Sequence, residues 1–252
     1  LKRELIKQWS GMLGNKSIVC VIPARMQSSR FPRKLLAPLG GKPLIQWAFE
    51  GAMRVSFFDK VVVAVDDPEL YEVVTGFGGE ALLTSLTCAS GTERLIELQT
   101  KEKVQGDIWV NWQGDEPFIT EETIACLLQS CNLGEIWTLK RKIKKEEEIK
   151  SPHVVKVVCD AKGHALYFSR SCIPSDKKNL YKHIGIYAYT DAALRKISSL
   201  SPCPLEQQES LEQLRFLYHG MQIQVHETTQ EIIGIDTKEE LAIAEQMCYH
   251  LT

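Results

Sequence analysis

Residues 17–34 read SIVCVIPARMQSSRFPRK. The first six residues form an apolar, largely β-branched run that ends at Pro23, a pattern typical of a strand buried inside a sheet. The rest of the stretch carries four cations, which are Arg25, Arg30, Arg33 and Lys34. Forked guanidinium groups and an ammonium can surround a polyanion such as a chain of phosphates. We therefore predict a buried strand followed by an anion-binding loop; the alternative is a basic loop that is merely solvated.

Two common phosphate-binding motifs are absent from the sequence. Gly41 and Lys42 are followed by Pro43, so the G-x-x-x-x-G-K-[ST] spacing of a P-loop does not occur. No predicted strand is followed by G-x-G-x-x-G, the fingerprint of dinucleotide binding. Any phosphorylated ligand would therefore be held by locally placed basic side chains.

Short β-branched runs alternate with segments of helical periodicity through the first part of the chain. The predicted strands lie at 17–22, 60–65, 80–84, 107–112 and 135–140. The predicted helices lie at 43–55, after the start signal Asp67-Pro68, at 92–103 and at 120–131. This alternation predicts a mostly parallel sheet flanked by helices on both faces. Ligands of such a sheet bind beyond the carboxyl ends of the strands, where the loops after residues 22, 84 and 112 lie.

The pattern changes in the second part of the chain. Residues 140–152 form a charge run, which we predict to be a solvated segment because its signs nearly cancel. The remaining predicted elements are a hairpin at 154–168, a strand at 182–189, a helix at 205–218, and a final helix with a Thr237/Glu240 capping box. We therefore expect an N-terminal extension (1–16) and two halves of one domain (17–150 and 151–252), the hairpin and helix being an insertion in the second half.

The composition argues against several classes of protein. Among 252 residues, 30 Lys and Arg oppose 32 Asp and Glu, so no global positive field would attract nucleic acid. The eight cysteines are scattered without a C-x-x-C pair, which predicts reduced thiols and neither a disulfide framework nor a zinc site. No apolar run approaches the roughly 20 residues that cross a membrane, and the N terminus lacks the apolar stretch of a signal peptide. We expect a cytoplasmic protein without a membrane partner.

Two aspartates follow apolar runs and precede helix signals. Asp115 lies in QGDEP after the central strand, and Asp236 lies in GIDT before the final helix. Magnesium prefers hard oxygen ligands together with phosphate and water. If the two runs are neighbours, the carboxylates would repel each other unless a cation joined them, so we predict a Mg²⁺ site. The alternatives are an ordinary Gly-Asp turn and a carboxylate at a helix start.

His183 begins the strand HIGIY, where a hydrogen-bonded structural histidine is the alternative to a functional one. No Ser-His-Asp or Cys-His arrangement can be assembled from the sequence, and HExxH is absent. The sequence therefore favours chemistry that depends on positioning and charge over chemistry that uses a protein nucleophile.

These motifs together resemble the 3-deoxy-manno-octulosonate (Kdo) cytidylyltransferase family. The similar segments, in order, are Val21–Lys34, Ser90–Leu95, Asn111–Pro117, Val154–Val158, Ala165–Pro174, Lys182–Tyr189, Pro202–Glu206, Leu211–Arg215 and Gly234–Leu241. The pair SGTER and QGDEP separates the chain from the related sialic-acid cytidylyltransferases. The resemblance covers the chain from Ser17 almost to its end.

The resemblance implies a nucleotide-diphospho-sugar transferase fold, a homodimer, and transfer of CMP from CTP to Kdo, an acidic eight-carbon sugar of lipopolysaccharide. It implies that the catalytic residues are Lys34, Asp115 and Asp236, the two aspartates being the Mg²⁺ ligands. The implied nucleotide-binding residues are Arg25, Arg30, Lys34, Ser90 and Thr92. The implied sugar-binding residues are Gln113, Arg170, His183, Tyr187, Glu212 and Gln213.

The chain departs from the family pattern at four positions. Arg33 stands where the family commonly has glycine, Leu35 where it has proline, Cys88 where it has histidine and Ser175 where it has tryptophan. The Arg33 substitution predicts a less permissive loop backbone. Two alternatives stay open: a cytidylyltransferase for another ulosonic acid (sialic acid or amino-Kdo), and a non-catalytic nucleotide-binding regulator.

Overall fold

The computed structural model describes residues 15–28, 30–176 and 178–248. The chain divides into two compact units. The first unit holds Lys16–Ile124 and the segment that begins at Glu231, and the second holds Ala125–Gln230. The division therefore falls near residue 124 and not at 150, and the last helix joins the first unit. The expected extension 1–16 lies almost entirely outside the described residues.

The first unit contains the predicted parallel sheet. Its strands are β1 (Ile18–Ala24), β4 (Lys60–Val65), β5 (Ala81–Leu83) and β6 (Ile108–Asn111), and a short antiparallel pair is formed by β2 (Pro38–Leu39) and β3 (Lys42–Pro43). The strand order is β6-β1-β4-β5, with each adjacent pair parallel. The apolar run of β1 is buried along Ile18–Ile22, as its composition predicts.

Most helices of the first unit begin at a side chain that caps the helix. They are α1 (Leu44–Met53), α2 (Pro68–Gly76), α3 (Gly91–Thr100), α4 (Glu121–Leu128), which continues into the second unit, and α9 (Lys238–Cys248). Asp67 accepts a hydrogen bond of 2.8 Å from the backbone N–H of Glu69. Thr237 accepts one of 3.2 Å from the backbone N–H of Glu240, whose carboxylate accepts one of 2.9 Å from that of Thr237. The predicted caps are confirmed because capping chemistry is local.

The second unit is built on a mixed sheet. Its strands are β7 (Ile136–Lys142), β8 (Lys156–Cys159), β9 (Ala165–Ser169), β10 (Tyr181–Thr190) and β11 (Gln224–Glu227). The predicted hairpin is confirmed as the antiparallel pair β8–β9. The prediction that 135–140 continues the parallel series was wrong in direction, since β7 pairs antiparallel with β10 and parallel with β11. Apolar periodicity predicts a strand but not the direction of its neighbour.

The predicted helix at 205–218 is two helices. They are α7 (Pro204–Glu209) and α8 (Gln213–Tyr218), separated by Ser210, whose φ of 53° is left-handed. An ion pair of 2.8 Å from Arg215 Nε to Glu206 joins the two pieces. Leu211 and Leu214 are buried in the chain's own core. These two leucines are therefore not free to contact a second subunit.

The charge run at 140–152 is only partly solvated. It contains the end of β7 and the short helix α5 (Glu146–Lys150). Arg141 is 4% exposed, and the Glu148 carboxylate accepts a hydrogen bond of 2.6 Å from the Lys182 ammonium. The prediction of a wholly solvated segment was therefore wrong, because opposite charges can be buried when they pair. The remaining helix of the unit is α6 (Asp191–Ser198), and across the described ranges no helix is long and apolar enough to span a membrane.

Candidate active site

The basic loop after β1 leads into a short 3-10 helix, Lys34–Leu36. Arg33 precedes it with φ of 58°, a left-handed conformation that favours glycine. An arginine thus occupies the strained position at which the family commonly has glycine. Its guanidinium contacts Glu69 at the start of α2. Arg33 therefore adopts the left-handed backbone conformation of this turn although it is not a glycine.

Lys34 is buried, with 10% of its side chain exposed. Its ammonium donates to Asp115 and, at 2.7 Å, to Asp236. Arg30 donates to the other oxygen of the Asp236 carboxylate, also at 2.7 Å. The structure thus brings together Arg30, Lys34 and the two predicted metal ligands. Lys34 is thus not part of a merely solvated loop, because its side chain fills the space between the two carboxylates.

The backbone explains why the two aspartates converge. The N–H of Ile235 donates a hydrogen bond of 2.9 Å to the carbonyl of Asp115, which ties the segment before α9 to the loop after β6. Gly114 allows that loop to approach β1, since a Cβ at this position would lie 3.1 Å from the Pro23 carbonyl oxygen. The two segments are therefore neighbours, as the predicted metal site requires.

The charges at this site shift one another's pKa values. Burial lowers the pKa of Lys34, but the neighbouring carboxylates of Asp115 and Asp236 outweigh it and raise the value. Burial raises the pKa of Asp236, but hydrogen bonds and charge from Lys34 and Arg30 lower it overall. The ammonium and the Asp236 carboxylate thus each stabilise the charged form of the other.

Glu116 is a neighbour of the site that sequence reasoning missed. Its Oε2 is buried and has no hydrogen-bond partner within the described residues. Burial, followed by the charges of Asp115 and Asp236, raises the pKa of Glu116 to about 8. The only available signal was its place in the QGDEP motif, where a glutamate before proline is more typical of a solvated turn.

A buried ion pair that the sequence did not reveal supports the basic loop. The Arg94 guanidinium donates to Asp66 at 2.8 Å and to the Thr84 hydroxyl at 2.6 Å. The second oxygen of Asp66 accepts a hydrogen bond of 2.9 Å from the backbone N–H of Met26. The sequence does not single out either residue, since Asp66 only precedes the helix start signal Asp67-Pro68 and Arg94 lies within the SGTERL motif. Together they hold Met26 in place, next to Arg25. Arg25 itself is exposed.

The other predicted nucleotide residues of the first unit lie at the start of α3. Ser90 is the N-cap and accepts a hydrogen bond of 3.1 Å from the backbone N–H of Glu93. Thr92 is 2% exposed. A Cβ on Gly91 would lie 3.0 Å from Pro23, so this helix start is packed against the end of β1. Gln113, predicted to bind the sugar, donates a hydrogen bond of 3.3 Å to the Asn111 side chain. Ligand contacts of these residues stay predictions.

The second unit brings His183 and Tyr187 together on β10. Their ring centroids are 5.3 Å apart, and His183 Nε2 lies 3.0 Å from the Thr138 hydroxyl. Burial lowers the pKa of His183 to about 3 and raises that of Tyr187. The Tyr187 hydroxyl is buried. Contact of these two residues with a sugar stays a prediction.

Arg170 holds the chain between α7 and α8. Its guanidinium donates to the carbonyls of Glu209 at 2.8 Å, Pro152 at 3.1 Å and Ser210 at 3.2 Å. This segment leads directly to two further predicted sugar ligands, Glu212 and Gln213. Arg170 thus has a structural role that sequence reasoning did not foresee, and its contact with a sugar stays a prediction.

The donor set of the first unit fits a divalent cation. Because Asp115 and Asp236 accept from the same ammonium, their oxygens already surround one point, and carboxylate oxygens are the ligands that Mg²⁺ prefers. Among the described residues no group of three or more His, Cys, Asp or Glu side chains is arranged to hold a metal ion. The protein would therefore supply two carboxylates, and the remaining ligands would be water and substrate oxygens.

Comparisons with known proteins agree with this arrangement. Residues 19–223 match the family described as Cytidylyltransferase. The 3-deoxy-manno-octulosonate cytidylyltransferase of Thermodesulfovibrio yellowstonii is 44% identical, covering 90% of this chain and 96% of the relative. The corresponding protein of Fusobacterium nucleatum subsp. nucleatum is 43% identical, covering 88% and 92%.

Solved structures extend the likeness to the fold. The structure of a CMP:2-keto-3-deoxy-manno-octonic acid synthetase complexed with CTP has a TM-score of 0.87 at 40% identity, covering 94% of this chain and 100% of that one. A putative glucose-1-phosphate thymidylyltransferase from Bacillus anthracis has a TM-score of 0.67 at 18% identity, covering 92% and 95%, and shares the fold alone.

A mostly parallel sheet flanked by helices, with cations and carboxylates gathered at the end of the central strands, is the architecture of a nucleotidyltransferase. The basic loop and the QGDEP motif agree with the likeness to the 3-deoxy-manno-octulosonate cytidylyltransferases. Given its identity to curated relatives over most of its length, the chain belongs to the family of 3-deoxy-manno-octulosonate cytidylyltransferases. The predicted fold class and the family resemblance are confirmed.

Proposed function

We propose that this chain transfers CMP from CTP to 3-deoxy-D-manno-octulosonate and releases pyrophosphate. The observation that carries the proposal is the convergence of Lys34 with Asp115 and Asp236 in a chain that is 44% identical to relatives of that name. In the proposed reaction the anomeric hydroxyl oxygen of the sugar attacks the α-phosphorus of CTP. The new P–O bond forms as the bond to pyrophosphate breaks, and the hydroxyl proton is lost.

Such a displacement depends on positioning and on neutralising charge, and it needs no protein nucleophile. Lys34, Arg25 and Arg30 are the cations that would neutralise the phosphates and the departing pyrophosphate. Arg25 is exposed and follows the β1 strand end, and Arg30 already contacts an anion in the form of Asp236. Ser90 and Thr92, at the start of α3, complete the proposed nucleotide set.

Asp115 and Asp236 would hold magnesium in the proposed enzyme. When bound, magnesium would supply positive charge at the phosphate oxygens and lower the pKa of a coordinated hydroxyl. The Ile235–Asp115 backbone hydrogen bond brings the segments of the two carboxylates together, and burial, which raises the pKa of Asp236, is outweighed by Lys34 and Arg30, which lower it. Glu116 adds a third carboxyl, whose pKa is raised first by burial and then by the charges of Asp115 and Asp236.

The sugar would be bound by polar side chains. We assign this role to Gln113, Arg170, His183, Tyr187, Glu212 and Gln213. The support is clearest for His183 and Tyr187, because their rings are neighbours on β10, with centroids 5.3 Å apart.

A pyrophosphate-release assay with four nucleoside triphosphates and several keto acids tests the function. We expect release with CTP, the eight-carbon sugar and Mg²⁺ together, and no comparable release when any of the three is omitted. Greater activity with N-acetylneuraminate than with the eight-carbon sugar would overturn the substrate assignment. Absence of release with every pair would instead favour a non-catalytic nucleotide-binding regulator.

We further propose a homodimer located in the cytoplasm. Two apolar side chains of the second unit, Leu166 and Tyr218, are 62% and 58% exposed, and the strand and helix that carry them pack together. Exposed apolar side chains gathered on one face are a common feature of subunit contacts. The cysteines with described side chains are free thiols, which agrees with a reducing compartment.

A further inference from the structure

A bulge interrupts the pairing of β10 with β7 next to His183. Ile184 pairs with Leu139, whereas Tyr187 pairs with Thr138, the adjacent residue of β7. Gly185 and Ile186 therefore lie between two consecutive paired positions of the β10–β7 register, which defines the bulge. Bulges re-aim the side chains that flank them and are frequent next to binding sites.

The Thr138 hydroxyl fills this bulge. The residue is fully buried, and its Oγ1 lies 2.8 Å from the carbonyl oxygen of Ile186 and 3.1 Å from that of Ile184. His183 Nε2 lies 3.0 Å from the same Oγ1. A hydroxyl has one proton and can otherwise only accept, and a carbonyl oxygen can only accept.

The proton of Thr138 must therefore point toward the carbonyls. If it pointed to His183 instead, the hydroxyl oxygen would face two carbonyl oxygens within hydrogen-bond distance with no hydrogen between them. The remaining partner, His183 Nε2, must then be the donor, which places the imidazole proton on Nε2 and leaves a lone pair on Nδ1.

We propose that Thr138 is a positioning residue that holds His183 as its neutral Nε2–H tautomer, so that Nδ1 accepts a hydrogen bond from a hydroxyl of the acidic sugar. The second half of this statement rests on the proposed function; the tautomer itself does not. A bare ring nitrogen accepts but cannot donate, so it selects a donor such as a hydroxyl and disfavours a carboxylate at the same place.

The surroundings of the ring agree with a neutral imidazole. Phe168 lies edge-on at a centroid distance of 5.0 Å and Tyr187 at 5.3 Å. Burial among these rings lowers the pKa of His183 to about 3. The ordinary alternative, a histidine protonated to bind the sugar carboxylate, would require a charge in this environment.

Nitrogen-15 NMR of histidine-labelled protein tests the tautomer directly, since protonated and bare ring nitrogens resonate far apart. The His183 signals are identified by their loss in His183→Gln. We expect one protonated nitrogen at Nε2 in the wild type and in Thr138→Ser, and a mixed or reversed tautomer in Thr138→Val. Thr228→Val, which alters another buried threonine of the second unit, should leave the signals unchanged.

Steady-state kinetics tests the sugar half of the proposal on the same variants. Thr138→Val should raise the KM for the sugar roughly 3- to 10-fold, the scale of one lost neutral hydrogen bond, with the KM for CTP unchanged and Thr138→Ser near wild type. A wild-type Nδ1–H tautomer, a charged ring, or an unchanged tautomer in Thr138→Val would overturn the role of Thr138. The expected tautomers with an unchanged sugar KM would instead overturn the sugar contact of His183.

Discussion

Lys34 lies between two carboxylates that are distant in sequence and adjacent in space. The sequence argument anticipated that Asp115 and Asp236 would repel each other until a metal joined them. In the folded chain an ammonium already neutralises that repulsion. Removing one aspartate therefore deprives Lys34 of a partner, so we expect Asp236→Asn to lower the stability of the metal-free protein.

Replacing Lys34 by methionine should expose the repulsion. Without magnesium, Lys34→Met should lower the free energy of unfolding by about 1.5–3 kcal/mol, the scale of hydrogen bonds to charged groups. Magnesium alone should restore part of the loss, since it can join the same carboxylates. Urea unfolding with and without Mg²⁺ measures both effects. Lys182→Met, which breaks a comparably buried pair with Glu148, is the control, and magnesium should not restore its free energy of unfolding. An equal recovery of the free energy of unfolding by magnesium in both variants would contradict a cation site at the aspartates.

The Arg94–Asp66 pair should contribute much more to stability than an exposed pair does. Both side chains are less than a tenth exposed, at 4% and 7%. Arg94→Met leaves the Asp66 charge buried without its partner, which should cost about 3–5 kcal/mol. The control Arg195→Met breaks an exposed pair and should cost under about 1 kcal/mol. Urea unfolding at neutral pH gives both values, and similar losses would show that the buried pair is not a structural support of the basic loop.

At the scale of elements, local signals predicted more than long-range ones. The strands β1, β4 and β10 and the caps Asp67 and Thr237 were predictable, because apolar periodicity and capping chemistry depend on neighbouring residues. The antiparallel β7 and the left-handed Ser210 depend on contacts formed only in the folded chain. For the same reason the sequence located Asp115 and Asp236 but missed Glu116 and the Arg94–Asp66 pair.

The strand β11 should make stability sensitive to acid. Burial lowers the pKa of His226, which lies 2.8 Å from the Ser130 hydroxyl, to about 4. Below the ordinary histidine value of about 6.5 the unfolded chain binds a proton that the folded chain does not, so the free energy of unfolding falls between pH 6.5 and 4. His226→Gln retains a hydrogen-bonding group but no titration there. Urea unfolding across this range should show a shallower decline for the variant, and parallel profiles would refute the assignment.

For the whole molecule, the division into units assigns the predicted functional residues to two different parts of the chain. Lys34, Asp115 and Asp236 all belong to the first unit, and the segment after Glu231 returns to that unit to deliver Asp236. His183 and Tyr187 belong to the second. The sequence placed the boundary later because the charge run looked like a linker, whereas part of that run is buried in the second unit.

The proposed homodimer is a prediction at this scale. Light scattering at micromolar concentration should give about twice the chain mass of 28.5 kDa. Leu166→Lys together with Tyr218→Lys should shift the mass toward that of one chain, since buried unpaired charges oppose association. Lys196→Gln, which alters an exposed side chain of α6, is the control. A wild-type mass of one chain would contradict the proposal.

Turnover of Asp236→Asn tests the central claim, that Lys34 and the two aspartates form the catalytic site. Glu239→Gln, which alters an exposed carboxylate three residues after Asp236 in the first turn of α9, is the matched control. We expect kcat for pyrophosphate release to fall about 10²- to 10³-fold in Asp236→Asn, the scale for losing one preorganised group, while CTP binding survives through Lys34 and Arg25. Glu239→Gln should retain wild-type turnover. Near-normal turnover in Asp236→Asn would contradict the account and leave this residue as a carboxylate that only stabilises a helix start.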